Sequence, residues 1–144
     1  MTAEQLFSLT STLALVGWLV LIAGGGRGLA GRGIWTIVGL LACIYVGLIG
    51  RFFFSAEGGF GTLAEVAQLF ANPWLLLAGW IHYLAFDLFT GLWEVRDAHE
   101  RGLSRWLVAP CLVLTFLFGP TGWLLYMVIR SIVPGKPADV ATGG

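Results

Sequence analysis

The stretch "GWIHYLAFDLFTGLWE", residues 79–94, decides how this chain folds. It is apolar enough to lie in lipid, yet it carries His82 and Asp87 near its middle. A charged side chain at the centre of a bilayer costs about 2.5–3.5 kcal/mol on insertion scales, so ionisable groups there are functional by default. The stretch therefore predicts a membrane-spanning helix that carries a candidate site.

The composition of the whole chain also indicates an integral membrane protein. Of its 144 residues, 58% are hydrophobic and 11% are charged, against about 25% charged in a soluble domain. The net charge is zero, which argues against a nucleic-acid partner. The two cysteines, Cys43 and Cys111, both lie inside apolar runs, which argues against a structural disulfide or a zinc site. Two histidines are too few for a four-histidine iron site.

Four apolar runs are long enough to cross a membrane, for which a helix needs about 20 residues. These runs are Leu6–Ala23, Ile34–Phe54, Trp74–Trp93 and Trp106–Ile129. The first has no basic segment before it, which favours a retained helix over a signal or transit peptide. We expect an all-α fold, a four-helix membrane bundle forming one domain over residues 1–144.

The segments that connect these runs, here called the first, second and third joints, contain residues that predict local structure. The glycine-rich segment 24–33 lacks the Lys-Ser/Thr of a phosphate-binding loop and predicts a flexible basic hairpin. Residues 61–72 have the periodicity of a short amphipathic helix at the interface, followed by Asn72 as the cap of the third span. Asp97 and Arg101, four apart, extend that span toward Gly102. His99 is expected to be a solvated surface histidine.

Arginine and lysine are nearly balanced between the two predicted sides of the membrane. The first and third joints hold five of them, which are Arg27, Arg32, Arg96, Arg101 and Arg105. The opposite side holds Arg51, Arg130, Lys136 and the amino terminus. This weak excess favours both termini outside the cytoplasm.

A helical wheel of the third span separates an apolar arc from a polar one. The apolar arc is expected to face lipid and consists of Leu77, Ile81, Leu84, Ala85, Leu88, Leu92 and Val95. His82 and Asp87 lie roughly 140° apart at the edges of the polar arc. We expect both to face a polar pocket between the third and fourth spans, closed by Ser11 and Thr12 of the first.

The fourth span contains a break at "FGPTG", residues 118–122. Pro120 cannot donate a backbone hydrogen bond, which frees the carbonyl of Phe116. His82 or Tyr83 is expected to donate to that carbonyl or to bind Thr121. Thr115 is expected at the depth of Asp87.

Two interpretations of these side chains stay open at this point. Asp87 either acts chemically or ties helices together through a hydrogen bond, an interaction of about 0.6 kcal/mol. The aromatic residues of the third span are typical of packing, yet they also suit a long apolar polyene. They are Trp80, Phe86, Phe89 and Trp93.

The sequence resembles the abscisic-acid-deficient-four family of four-helix membrane proteins. The resemblance rests on His-Tyr-Leu-Ala-Phe-Asp-Leu-Phe-x-Gly-x-Trp-x-x-x-Asp, which runs from His82 to Asp97, and on Thr-Phe-x-x-Gly-Pro at 115–120. It is strong over residues 58–130. Plant members are implicated in making neoxanthin from violaxanthin, so the resemblance implies a carotenoid isomerase.

That reaction opens an epoxide and forms an allene, with no net redox change and no formal need for a cofactor. It asks for an acid at the epoxide oxygen and a base at the adjacent polyene carbon. The resemblance implies Asp87 as the acid and His82 as the base, with Tyr83 and Asp97 as further catalytic candidates. The candidate substrate-binding residues are Trp80, Phe86, Thr90, Trp93, Thr115 and Asn72.

The chain also departs from the plant pattern, since it has no transit peptide and its compact form is typical of bacteria. We expect it in a bacterial cytoplasmic membrane, acting on a carotenoid or another isoprenoid lipid. The alternative is a non-catalytic subunit that binds pigment or lipid, or that assembles with a second copy or a larger membrane complex.

Overall fold

The computed structural model describes residues 1–24 and 26–134, and within these residues the chain is helical without any strand. The predicted all-α fold is confirmed. The helices are α1 (Ala3–Ile22), α2 (Gly28–Phe52), α3 (Leu63–Phe70), α4 (Pro73–Glu100), α5 (Arg105–Phe118) and α6 (Pro120–Ile132), with a single 3₁₀ turn at Phe53–Ser55.

In the part of the chain that the structure describes, three helices are long and apolar enough to cross a membrane: α1, α2 with its 3₁₀ extension, and α4. This indicates a membrane protein. The central helix is α4, which packs against α1 and α2 along its length and against α5 and α6 in its second half.

Local capping explains where several helices begin. Thr2 and Gln5 form a capping box at α1, and Thr62 and Glu65 form another at α3. Asn72 caps α4 through its side chain, and Pro73 occupies the first turn. Such caps satisfy backbone N–H groups that have no partner within the helix. The predicted short helix between the second and third spans and the predicted start of the third span are thereby confirmed, while the interfacial position of the short helix stays a prediction.

The predictions for the loop between α1 and α2 and for the loop between α4 and α5 had different outcomes. Asp97 pairs with Arg101 at 3.1 Å, and α4 ends before Gly102, whose φ of 65° suits glycine. This confirms the predicted extension of α4. The hairpin predicted over 24–33 is wrong in extent, because α2 already begins at Gly28.

The prediction of one continuous span over 106–129 is corrected by the structure. Two shorter helices, α5 and α6, pack side by side and are joined at Gly119, whose φ is 48°. The tip of this hairpin lies by Tyr83 and Asp87 of α4, whereas its far end returns to Asp97. The chain therefore enters beside α4 and turns back, because Gly119 and Pro120 end one helix and start the next.

Close packing of the hairpin depends on Gly122. A Cβ atom at this position would overlap Thr115 and the carbonyl of Cys111 in α5. Small residues allow helix backbones to approach closely in membranes. Gly122 thus sets the spacing of α5 and α6.

The predicted lipid-facing arc of α4 is also corrected. Six of its members are buried, namely Leu77, Ile81, Leu84, Ala85, Leu88 and Leu92. They pack against α1 and α2, with Leu88 and Leu92 beside Trp18 and Ile34. Lipid tails are as apolar as leucine, so hydrophobicity alone does not tell the buried face of a spanning helix from its lipid face.

The hairpin changes the distribution of charge between the two ends of the molecule. Arg130, predicted on the side opposite the first and third joints, lies beside Asp97 and Arg101 instead. The arginines at this end are Arg27, Arg32, Arg96, Arg101, Arg105 and Arg130, whereas Arg51 lies at the other end of α2. Lys136 lies outside the described residues. We refer to these as the arginine-rich end and the opposite end.

Candidate functional site

A polar stripe runs along α4 under the hairpin. Its members recur at alternating spacings of four and three, which places them on one helix face. They are Tyr83, Asp87, Thr90, Glu94, Asp97 and Arg101. Tyr83, Asp87, Glu94 and Asp97 meet groups of α5, α6 or the turn between them. The stripe is therefore the surface that holds the hairpin.

Tyr83 supplies a hydrogen-bond donor to the backbone carbonyls at the end of α5. Its hydroxyl donates to the carbonyls of Phe116 and Leu117 at 3.4 and 3.3 Å. These carbonyls belong to the last turn of α5, which has no continuing helix to bond them, and such groups are costly to leave unpaired in lipid. The predicted link between Tyr83 and the Phe116 carbonyl is confirmed.

Asp87 lies against the turn of the hairpin. A Cβ atom on Gly119 would sit 2.9 Å from Asp87 Oδ1, so the backbone of Gly119 covers the carboxyl group. The other oxygen, Oδ2, is buried and has no hydrogen-bond partner among the described residues. Unpaired buried oxygens are rare in proteins, and they call for a proton, a ligand or a water. Among the carboxyl groups of the stripe, Asp87 is therefore the one with a buried oxygen that lacks a partner in the described part of the chain.

Glu94 is fully buried one step further along the stripe. The hydroxyl of Thr115 lies 3.0 and 3.2 Å from its two carboxyl oxygens and can donate to one of them at a time. In the described part of the chain, no arginine, lysine or histidine pairs with it. Glu94 was not among the predicted site residues, although its spacing of seven from Asp87 would have revealed it.

Asp97 holds the far end of the hairpin. Arg130 donates from Nε and Nη2 to its two oxygens at 2.8 and 3.2 Å, and the Tyr126 hydroxyl donates at 2.7 Å. Arg101 lies 3.1 Å from the same carboxylate. With these partners Asp97 is saturated, and its geometry is that of a structural ion pair.

His82 lies on a different face of α4 from Asp87. Its exposed ring stands 4.6 Å from Phe86 and 5.5 Å from Tyr45 of α2, measured between ring centroids. The expectation that His82 and Asp87 both face one pocket between α4 and the following helices is therefore corrected. The buried apolar arc takes the inner side of α4, which leaves His82 on the outside.

His82 begins a row of exposed rings that we call the aromatic ladder. Its members on α4 recur at spacings of four, three and four, and Trp35 and Tyr45 of α2 flank them. On α4 they are His82, Phe86, Phe89 and Trp93. Trp35 stands 5.5 Å from Phe89, and Trp93 stands 5.7 Å from Tyr126 of α6. The ladder therefore lines the outer side of α4 between α2 and the hairpin.

The remaining predicted residues lie in several places. The indole of Trp80 donates to Ser11 of α1 at 3.0 Å, away from the ladder. Thr90 is half-buried and donates to the carbonyl of Phe86 within α4. Asn72 caps α4 at the opposite end and is remote from the hairpin. Thr12, predicted to close the pocket, is exposed.

The side chains that could bind a metal ion are spread apart in the described part of the chain. Within residues 1–24 and 26–134, no three histidine, cysteine or acidic side chains converge as a metal site would require. The stripe offers the phenol of Tyr83 and two carboxyl groups without an arginine partner, Asp87 and Glu94, which are proton donors and acceptors.

A comparison with protein families gives one match. The family model described as ABA DEFICIENT 4-like matches residues 5–126, which include most of α1, all of α2 to α5 and half of α6. Comparisons with curated proteins and with solved structures find no match.

Proposed function

We propose that this chain, which belongs to the ABA DEFICIENT 4-like family, is a membrane-embedded isomerase of a carotenoid or related isoprenoid lipid. The observation that carries the proposal is the aromatic ladder beside an acid with an unpaired oxygen, Asp87. A polyene is long, rigid and apolar, and a row of exposed rings at successive helical turns offers it continuous contact.

The chemistry proposed for the site is acid–base and needs no cofactor. Asp87 in its neutral form gives its proton to an epoxide oxygen as the carbon–oxygen bond breaks. A base takes a proton from the neighbouring polyene carbon, so the product is an isomer of the substrate. His82, on the ladder, is the base in this scheme. Around the axis of α4, Phe86 lies between His82 and Asp87.

The proposed setting is a bacterial cytoplasmic membrane. Three helices cross it, and α5 and α6 form a hairpin that enters and leaves at the arginine-rich end. Six arginines at that end against Arg51 at the other favour the arginine-rich end as cytoplasmic. This places the amino terminus outside and the end of α6 inside, which replaces the expectation of two outer termini.

A second candidate function is non-catalytic binding of a pigment or lipid, alone or within a membrane complex. The separation of His82 and Asp87 onto different faces of α4 favours it. In this case the ladder holds the ligand, and the acids of the stripe serve only to dock the hairpin.

Co-expression in a carotenoid-producing host, followed by pigment chromatography, distinguishes the two. An isomerase yields a new pigment of unchanged mass, which disappears with Asp87→Asn while the substrate still co-purifies with the variant. A binding protein retains an unchanged pigment in both forms. Glu57→Gln, a neutralisation of an exposed acid outside the stripe, is the matched control and leaves either result intact.

The role of the ladder is tested separately. Phe86→Ala is expected to reduce pigment retention, whereas Phe118→Ala, with a similarly exposed ring on α5, is not; their exposed fractions are 58% and 61%. Equal retention in both variants, or no pigment with the wild type, would rule out the ladder as the binding surface.

A further inference from the structure

A cavity apart from the stripe and the ladder opens at the arginine-rich end. Its volume is about 610 Å³, which is within the usual range for ligand pockets. It lies where the end of α1, the end of α4 and the start of α5 meet. Arg27, His99 and Arg105 line it together with apolar side chains that include Leu21, Val108 and Leu112.

The cations of this cavity have no carboxylate partner among the described residues. Arg27 Nη1 lies 3.2 Å from His99 Nδ1. A guanidinium only donates, so Nδ1 accepts and the imidazole proton lies on Nε2. One acid, Glu100, lines the shallow recess next to the cavity and is exposed. Donors thus outnumber acceptors around the cavity.

The position of Arg105 depends on Gly24. A Cβ atom on this residue would lie 2.8 Å from Arg105 Nη2, and its φ of 99° is one that other residues rarely adopt. The absence of a side chain at Gly24 lets the guanidinium lie over the end of α1. Arg105 is thereby held at the cavity rather than extended into water.

Two helices also begin here without a side-chain cap. The residues at the N-cap positions of α2 and α5 are Arg27 and Ser104, and neither side chain bonds the first turn. By contrast, side chains cap α1, α3 and α4. The first N–H groups of a helix and its dipole attract anions, so two such ends add to the positive potential of the arginines.

The neighbouring residues place the cavity at the membrane surface. Trp106, at the start of α5, is 88% exposed, as is typical of tryptophans at the boundary between lipid and water. From there, Val108 and Leu112 continue along α5 toward the hydrocarbon. The cavity therefore has a cationic mouth at headgroup depth and an apolar wall below it.

We propose that this cavity binds an anionic phospholipid, with its phosphate between Arg27 and Arg105 and one acyl chain along Leu21, Val108 and Leu112. Arginine forms paired hydrogen bonds to phosphate oxygens. The Nε2–H of His99 offers a further donor. This site is independent of the ladder and of any catalysis there.

The test is lipid retention measured by native mass spectrometry of the full chain, extracted from membranes that contain phosphatidylglycerol and phosphatidylcholine in equal amounts. The wild type is expected to retain the anionic lipid preferentially. Arg105→Gln and Arg27→Gln should each lower that preference about ten-fold, the effect of losing a hydrogen bond to a charged phosphate group. Ala109→Phe, which fills the apolar wall without changing charge, should lower total retention.

Arg32→Gln is the matched control, since Arg32 lies at the same end of the molecule but outside the cavity. It is expected to retain lipid as the wild type does. An equal loss with Arg32→Gln would mean that diffuse charge attracts the lipid, and equal retention of both lipids by the wild type would remove the anionic preference. Either result overturns the proposal.

Two further probes separate the sources of a phosphate group. Glycerol 3-phosphate, which has no chain, should leave the retained lipid in place at millimolar concentration. A polyprenyl monophosphate should displace phosphatidylglycerol no better than added phosphatidylglycerol does. Displacement by the soluble phosphate, or stronger displacement by the polyprenyl phosphate, would show that the occupant is not a phospholipid.

Discussion

The backbone of Gly119 covers the carboxyl group of Asp87: a Cβ atom on this glycine would lie 2.9 Å from Asp87 Oδ1. The contact joins the turn of the hairpin to the middle of the central helix. Two features therefore favour glycine at position 119: the lack of space for a side chain beside Asp87, and a φ of 48°.

Gly119→Ala is expected to lower the free energy of unfolding by about 1–3 kcal/mol, through backbone strain and through contact with Asp87. Thermal unfolding in detergent measures the loss. In an Asp87→Ala background the steric part disappears and only the strain remains, so the loss should be smaller. An equal loss in both backgrounds would mean that the contact with Asp87 does not matter.

Gly122→Ala should separate α5 from α6, because the added methyl group overlaps Thr115 and the Cys111 carbonyl. We expect a loss of several kcal/mol, as for severe overpacking. Gly39→Ala in α2 is the control, since a Cβ atom there meets nothing within 4 Å. It should be neutral or slightly stabilising, and unfolding temperatures of the two variants give the comparison.

The course of the hairpin is testable by labelling with a membrane-impermeant maleimide in intact cells and in inverted vesicles. Ser131→Cys should react from the same side as Ser104→Cys and from the side opposite Ser55→Cys. A continuous span would place Ser131 with Ser55 instead. Cysteine-free background protein, with Cys43 and Cys111 replaced by serine, serves as the blank.

The buried pair of Glu94 and Thr115 should respond unequally to its two substitutions. Glu94→Gln keeps the shape and an oxygen that can accept the hydrogen bond from Thr115, so stability should change by no more than about 1 kcal/mol. Thr115→Val leaves the carboxyl group without its donor and should cost about 1–3 kcal/mol. Denaturation midpoints of the two variants, measured in the same detergent, give the comparison. A larger loss with Glu94→Gln than with Thr115→Val would point to a further role for the Glu94 carboxyl group.

The sequence predicts Asp97 as a catalytic residue, whereas its ion pair with Arg130 predicts a role in stability. Asp97→Asn and Arg130→Gln should each destabilise the protein by about 1–3 kcal/mol, and the double variant should lose much less than their sum. If Asp97→Asn abolishes isomerisation in stable protein while Arg130→Gln does not, Asp97 has a chemical role as well.

Local signals made several elements predictable from the sequence. Thr62 with Glu65, and Asn72 with Pro73, fix helix starts through hydrogen bonds within a few residues. The link from Tyr83 to the Phe116 carbonyl was also predictable, since Pro120 identifies which carbonyls lose their partners. Such features depend on neighbours in the chain and on little else.

The buried face of α4 was predicted wrongly, because a hydrophobicity pattern carries no direction in lipid. Small residues would have given it, as Gly91 lies against Trp18 and Gly17 lies against Leu88. The hairpin was missed for a similar reason. Residues 106–129 are long enough to span, and only Gly119, Pro120 and Gly122 together distinguish a reversal from a kink.

The hairpin also gives the molecule a taper. At 1.5 Å per residue, the 14 residues of α5 extend about 21 Å, short of the roughly 30 Å hydrocarbon thickness. A hairpin of this length passes the middle of the bilayer without crossing it, so five helical cross-sections lie at the surface of one leaflet and three lie at the surface of the other. A body of this shape displaces unequal numbers of lipids from the two leaflets, and its surroundings should respond to membrane curvature as well as to composition.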